Sequence, residues 1–348
     1  MKSHFSTANE NVKILSQHFY IPQLKRTRRI WVCLPEDYYT SGKQYPVLYL
    51  QDAQNKFDEA TSFGLEWEVD ESLSRLFRMG DRGVIAVGID HGRERRIHEY
   101  LPFPNQPDGL AEGPAYAEFL VTVLKPFIDV NFRTLPGKST TALMGSSMGG
   151  LISLYTGLMY PEVFGLLGIF SPSLWIAPDI FPLIEKRLVS REQKIYLLAG
   201  KRESKDMALD MQKLHDALAG KGIPPEQLHL TLVKDGEHTE AFWRKEFPYA
   251  YLWLFGHTLA CPWDIGAPIH FFPNPANDFL HITFQAEGQK ALCKLYDWQG
   301  SLLMEQWVAT RETIAVKHLP VGLYFLEIQH EGTHDVKALQ INRSVKSS

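Results

Sequence analysis

Cysteine is scarce: there are three in 348 residues. Cys33, Cys261 and Cys293 are too scattered for the paired spacings of a zinc site and too few for a disulfide framework. Cys33 sits in an apolar run, where a small buried hydrophobe is its expected role; no metal and no other cofactor is expected. Long apolar runs are missing as well, and no stretch approaches the roughly 18 residues that would span a bilayer. There is no Lys/Arg block, and the formal net charge of −4 gives no electrostatic footprint for nucleic acid or an anionic membrane. Residues 1–11 are polar and lack the apolar stretch and small-residue cleavage site of an export leader, which taken alone predicts a cytoplasmic protein. What is present is ordinary for globular domains: 45% hydrophobic and 22% charged residues, in a length that suits about two domains.

The chain in order alternates strand and helix signals. Arg28-Arg29-Ile30-Trp31-Val32-Cys33-Leu34-Pro35 is β-rich and closed by proline. Tyr45-Pro46-Val47-Leu48-Tyr49-Leu50 and Gly83-Val84-Ile85-Ala86-Val87-Gly88-Ile89 are nearly continuous apolar runs, the pattern of strands buried on both faces. Helical periodicity covers residues 66–79, 116–130 and 207–219, and further strands are expected to end at Met144 and to cover 165–170, 194–199 and 228–233. This spacing predicts an α/β fold, a doubly wound and mostly parallel sheet with helices on both faces, over residues 1–262. Beyond about Gly256 short alternating segments joined by turn residues replace it, so 268–348 reads as a small all-β sandwich.

The stretch Met144-Gly145-Ser146-Ser147-Met148-Gly149-Gly150 falls between a strand and a helix. Gly-x-Ser-x-Gly is common enough to occur as a plain glycine-rich turn, but in this context it reads as a nucleophile elbow, with Ser147 the candidate nucleophile. A serine hydroxyl needs a base to take its proton, and the base needs an acid to orient it. In the order nucleophile, acid, histidine, the base belongs on a late loop, and His238 fits, directly after the strand 228–233. His91 and His98 precede Ser147, while His215 lies in a helix and His229 in a strand. For the acid, the loop after 194–199 offers Glu203 and Asp206. Glu203 stands ahead, because Asp206 directly precedes a helix and has an alternative as its N-cap. The oxyanion hole calls for two backbone amides, expected at Met148, after the nucleophile, and at Gln54, in the turn after the strand 45–50. The loops 171–175 and 95–100 are the expected pocket walls. Trp175, Arg96 and Glu99 are the candidate substrate-binding side chains, with packing the alternative for the tryptophan and a solvated charged loop for the others.

Several motifs together carry a resemblance. The run from Tyr45 through Gln51-Asp52-Ala53-Gln54-Asn55-Lys56-Phe57-Asp58, then Trp67-Glu68-Val69-Asp70-Glu71, Arg96-x-x-Glu99-Tyr100-x-Pro102, Gly145-Ser146-Ser147-Met148-Gly149-Gly150, Phe170-Ser171-Pro172-Ser173 and Gly236-Glu237-His238 resemble the esterase family of α/β-hydrolases that takes in the esterase D, enterochelin esterase, feruloyl esterase and mycolyltransferase groups. The resemblance covers roughly residues 27–255 and implies carboxylic ester hydrolysis by a Ser-His-acid triad through an acyl-enzyme, without cofactor, on a small-molecule or saccharide-linked ester. An acyltransferase on the same scaffold and a catalytically silent carbohydrate-binding protein are the alternatives. Further on, Phe272-Pro273-Asn274-Pro275-Ala276-Asn277-Asp278, Leu295-Tyr296-Asp297-x-x-Gly300 and Leu319-Pro320-Val321-Gly322-Leu323-Tyr324-Phe325 resemble the C-terminal sorting domain of type IX secretion substrates. That resemblance implies secretion machinery as a partner and a secreted or cell-surface protein, against the cytoplasmic expectation from the N-terminal residues.

Overall fold

A computed structural model describes residues 5–78, 81–104, 109–187, 189–256, 269–272, 276, 278–284, 290–297, 300–309, 311–330 and 333–341. The chain divides into two compact units, 1–74 with 82–258 and 259–348 with 75–81. The expected boundary at 262–268, Cys261 and part of the 272–278 motif lie outside the described residues.

The elements run β1 (Val12–Ile21), β2 (Arg26–Cys33), β3 (Val47–Gln51), α1 (Val69–Arg78), β4 (Ile85–Ile89), α2 (Arg96–Tyr100), α3 (Gly113–Phe119), α4 (Lys125–Asn131), β5 (Thr141–Ser146), α5 (Met148–Met159), β6 (Leu166–Phe170), α6 (Ile180–Lys186), β7 (Lys194–Gly200), α7 (Met207–Gly220), β8 (Leu228–Val233) and α8 (Glu240–Phe255). All eight strands form one sheet in the order β1-β2-β4-β3-β5-β6-β7-β8. The pairs β1/β2 and β2/β4 are antiparallel and the rest are parallel. Every residue of β3, β4, β5, β6 and β7 is buried, as continuous apolar runs between two helical layers require. Helix α5 is buried from Met148 to Leu158, which explains its apolar character on all sides. The helix expected at 116–130 is one helical stretch made of α3, a wider turn over Leu120–Leu124, and α4. Pro126, which has no amide to donate, lies at the start of α4 and accounts for the widened turn.

The sequence pattern missed β1. It pairs with β2 through two register irregularities, and half of its residues face solvent. Bulges break the period of two that marks a strand.

Strand order reverses at β3: the chain steps from β3 to β4 on one side, then returns to place β5 on the other. The carboxyl ends of β3 and β5 therefore flank the switch point, where open α/β sheets hold their ligands.

In the second unit β9 (Ile269–Phe272), β10 (Phe279–Phe284), β11 (Lys290–Asp297), β12 (Leu302–Ala309), β13 (Arg311–Ala315), β14 (Gly322–His330) and β15 (Thr333–Ile341) form two antiparallel sheets, β13-β10-β9 and β12-β11-β14-β15. Leu280, Ile282 and Ile314 from the first pack in one core with Cys293, Leu295, Leu326 and Leu339 from the second, the layering of a small sandwich.

Candidate active site

Ser147 stands between β5 and α5 with φ 57° and ψ −125°, a strained backbone for a residue with a side chain. The turn leaves no room for side chains at its glycines. A Cβ on Gly145 would lie 2.5 Å from the Gly149 carbonyl oxygen, and one on Gly149 would lie 2.7 Å from Asp52 Oδ2 and 3.1 Å from Gln51 Cβ. The elbow is thus pressed against the end of β3, and the glycines are what permit it. Met148 opens α5 and Gln54 lies in a single helical turn, Ala53–Asn55. Amides at the start of such turns have no acceptor within them.

The loops after β7 and β8 meet back to back. A Cβ on Gly200 would fall 2.1 Å from the Gly236 carbonyl oxygen, so both glycines are needed for the approach that joins Glu203 to His238. Glu203 Oε2 lies 2.7 Å from His238 Nδ1. Its Oε1 accepts 2.6 Å bonds from the Gly200 amide and the Ser171 hydroxyl, and the carboxylate is 1% exposed. Ser171 in turn accepts from Trp243 Nε1 at 2.9 Å, and Trp243 packs edge-on against the His238 ring at 4.8 Å. Glu203 is therefore held at both oxygens and the His238 imidazole is fixed by bond and ring. Ser171 was expected in a pocket wall and not as a partner of Glu203, and Trp243 was not expected here; a tryptophan in a helical run gives no signal of such a role.

Ser147 Oγ lies 3.2 Å from Ser173 Oγ, and among the described residues no hydrogen bond joins it to His238. Asp206 makes no side-chain bond at the start of α7, which corrects its reading as a cap. The Met207 amide donates instead to Ser204 Oγ at 3.0 Å. Asp206 already has helical backbone angles (φ −102°, ψ −17°), whereas a capping side chain needs an extended backbone.

The expected pocket walls separate. Trp175 is 75% exposed, so it is not packing under its loop. Arg96 is paired with Asp52 through bonds of 2.7 and 2.8 Å. Burial works to raise the Asp52 carboxyl, but the Arg96 charge and hydrogen bonds hold it below its ordinary value. This pair braces the turn that carries Gln54, with Asp52 itself in a left-handed conformation (φ 57°). Glu99 is a correction: it is fully buried, and its oxygens accept from Arg26 and Arg28 at 2.7–2.8 Å. A carboxylate enclosed by two arginines on one face of β2 clasps the fold and has no face left for a ligand.

A cavity of about 930 Å³ opens beside Gln54, lined among others by His18, Arg29, Phe63, His91 and Arg93. Gln54 holds the His91 backbone through both ends of its side-chain amide, and Phe63 stacks on the His91 ring at 5.2 Å. Burial lowers the His91 imidazole more than the Asp52 charge raises it. Gln54 is the one expected site residue among those that line this cavity.

An eight-stranded, mostly parallel sheet with a strained serine turn after β5 defines the class, an α/β-hydrolase. Residues 21–254 match the family described as "Putative esterase", and the chain belongs to that family. Residues 270–342 match the family described as a secretion system C-terminal sorting domain. The chain is 26% identical over 242 residues to the uncharacterized protein YbbA of Bacillus subtilis (strain 168), covering 66% of this chain and 93% of that protein. It is 29% identical over 153 residues to an endo-1,4-beta-xylanase/feruloyl esterase of Xylanibacter ruminicola, covering 43% of this chain and 20% of that one. The crystal structure of the enterobactin esterase FES from Shigella flexneri superposes with a TM-score of 0.58 at 22% identity, over 74% of this chain and 63% of that chain. At that identity the likeness is one of fold.

Proposed function

We propose that the protein hydrolyses carboxylic esters through an acyl-enzyme on Ser147. The observation that carries this reading is the bonded pair Glu203–His238 at 2.7 Å, on the loops after β7 and β8, with the strained serine after β5 in the same sheet. Ser147 Oγ attacks the ester carbonyl carbon as its proton passes to His238 Nε2, and Glu203 holds the Nδ1 proton so that Nε2 is the basic nitrogen. The amides of Gln54 and Met148 receive the oxyanion. His238 then protonates the departing alkoxide, and water repeats the sequence to free the acid. Ser147→Ala should lower kcat on a p-nitrophenyl ester by about 10³-fold or more; substantial turnover by the pure variant sinks the mechanism.

The acyl group is best accommodated as an aryl acid. The cavity beside Gln54 is of the size that encloses small ligands, its walls offer an aromatic stack and cationic side chains, and one relative is an endo-1,4-beta-xylanase/feruloyl esterase. Feruloyl esters should therefore be cleaved with a higher kcat/KM than acetyl esters; the reverse order rejects the assignment. Adding an alcohol or sugar acceptor to the same assay separates hydrolysis from acyl transfer by product. Residues 268–348 serve as an address for secretion machinery, a reading supported by the sorting-domain match. The chain ended at residue 262 should keep kcat and KM on a small ester while losing export, and a loss of kcat by the folded shortened chain refutes that division.

A further inference from the structure

Away from Ser147, three carboxylates converge at the start of α1. One oxygen from each of Glu66, Asp70 and Glu71 lies within 4.8 Å of those from the other two. Asp70 is fully buried and Glu66 is 5% exposed. Glu66 Oε2, Asp70 Oδ1 and Glu71 Oε2 are all buried and meet no N–H or hydroxyl donor, while the Asp70 and Glu71 carboxyls bond to each other. The remaining oxygens of two of them are used otherwise. Thr7 Oγ1 donates to Glu66 Oε1, and the Asn9 amide donates to Asp70 Oδ2 at 2.8 Å. The N-terminal segment is further pinned by Ser6 Oγ and the Thr7 amide on Asp58. Each of these two carboxylates thus holds the segment with one oxygen and turns the other, buried, into the cluster. The charges acting most strongly on the cluster include further carboxylates, Asp58 and Glu68. Buried anionic oxygens without donors are costly unless a cation meets them.

We propose that Glu66, Asp70 and Glu71 bind one hard divalent cation, calcium in preference to magnesium, beneath the N-terminal segment. An all-oxygen, carboxylate set suits calcium and magnesium rather than zinc or copper. Calcium accepts irregular carboxylate geometry at about 2.3–2.6 Å, whereas magnesium demands a near-ideal octahedron and keeps its waters. Water completes the shell. The ion ties the N-terminal segment to α1 and steadies the neighbouring Trp67, whose Nε1 donates to Glu240 at the head of α8, two residues beyond His238. None of the three carboxylates takes part in the proposed ester chemistry, so the two readings fail separately.

The test uses the full chain stripped with EDTA. Calcium chloride is titrated in by calorimetry, and thermal unfolding is followed in calcium, in magnesium and in EDTA. The expected result is saturable binding of one ion and, at about 100-fold excess over its Kd, a rise in Tm of about 5–10 °C, smaller in magnesium. Glu66→Gln and Asp70→Asn should each remove that rise. No saturable heat and the same Tm in calcium and EDTA overturns the proposal, as does a calcium effect that persists in both variants. A third result also overturns it: Glu71→Gln raising Tm equally with and without calcium, the sign of carboxyls that share a proton in place of an ion.

Discussion

Replacing Glu203 by glutamine changes one donor pattern and little else. The Gly200 amide and the Ser171 hydroxyl both donate to Oε1, and a glutamine carbonyl in that position keeps both bonds. The amide nitrogen then faces His238 Nδ1, where the carboxylate oxygen stood at 2.7 Å. It can only donate, so it selects the tautomer whose Nδ1 accepts and whose Nε2 carries the proton, leaving no base toward Ser147. The equivalent change in another triad lowers kcat by about 10⁴-fold, and a loss of about 10³–10⁴-fold, roughly 4–5.5 kcal/mol in barrier, is expected here with Tm nearly unchanged. Asp206→Asn is the control, since the Asp206 side chain makes no bond at the helix start; it should leave both kcat and Tm within error. The assay is p-nitrophenyl ester turnover beside thermal unfolding of each variant. A Glu203→Gln enzyme within about tenfold of wild type, or a larger loss in Asp206→Asn, refutes the assignment of the acid.

Arg96→Ala strands the buried Asp52 carboxylate and should cost about 3–5 kcal/mol in urea unfolding, with part of it regained in the Asp52→Ala/Arg96→Ala double variant; a cost below about 1 kcal/mol would show that the pair does not brace its turn. Burial, reinforced by His215 and Lys194, lowers His229 to about 4. The unfolded chain takes up that proton below about 6.5, so stability should fall as pH drops from 6.5 to 4, by up to about 1.4 kcal/mol per unit. His229→Gln should flatten that slope, whatever it does to stability at pH 7, and an unchanged slope assigns the acid sensitivity elsewhere. Trp175→Ala should raise KM for aryl esters several-fold with Tm held, since the ring is 75% exposed; an unchanged KM removes it from the pocket.

The parallel strands were legible because β3, β5 and β7 are buried on both faces and therefore read as unbroken apolar runs. The exposed and bulged β1 obeys no such pattern. The strained turn at Ser147 and the Glu203–His238 contact fall where the sequence pointed because each of these residues follows a strand end, the edge where this architecture collects its ligands. Glu99 was misread for the converse reason: a charged residue in a polar stretch suggests exposure, and nothing local reveals that Arg26 and Arg28, two apart on β2, close over it. The cap of α7 was misplaced because an aspartate next to a helix looks like the cap, although the serine two residues earlier reaches the free amide. The carboxylate cluster was hidden as an ordinary acidic first turn; what sets it apart is the N-terminal segment folded over it, a contact some 60 residues away in sequence.

Covalent trapping tests the nucleophile most directly. A fluorophosphonate forms a phosphorus–oxygen bond to an activated serine with loss of fluoride, and the same base that activates the serine for esters is required. The intact protein should gain one adduct, peptide mapping should place it on Ser147, and Ser147→Ala should take up none while His238→Ala reacts far more slowly. An adduct on Ser173, whose hydroxyl lies 3.2 Å away, or labelling of Ser147→Ala at the wild-type rate, would contradict a Ser147 acyl-enzyme.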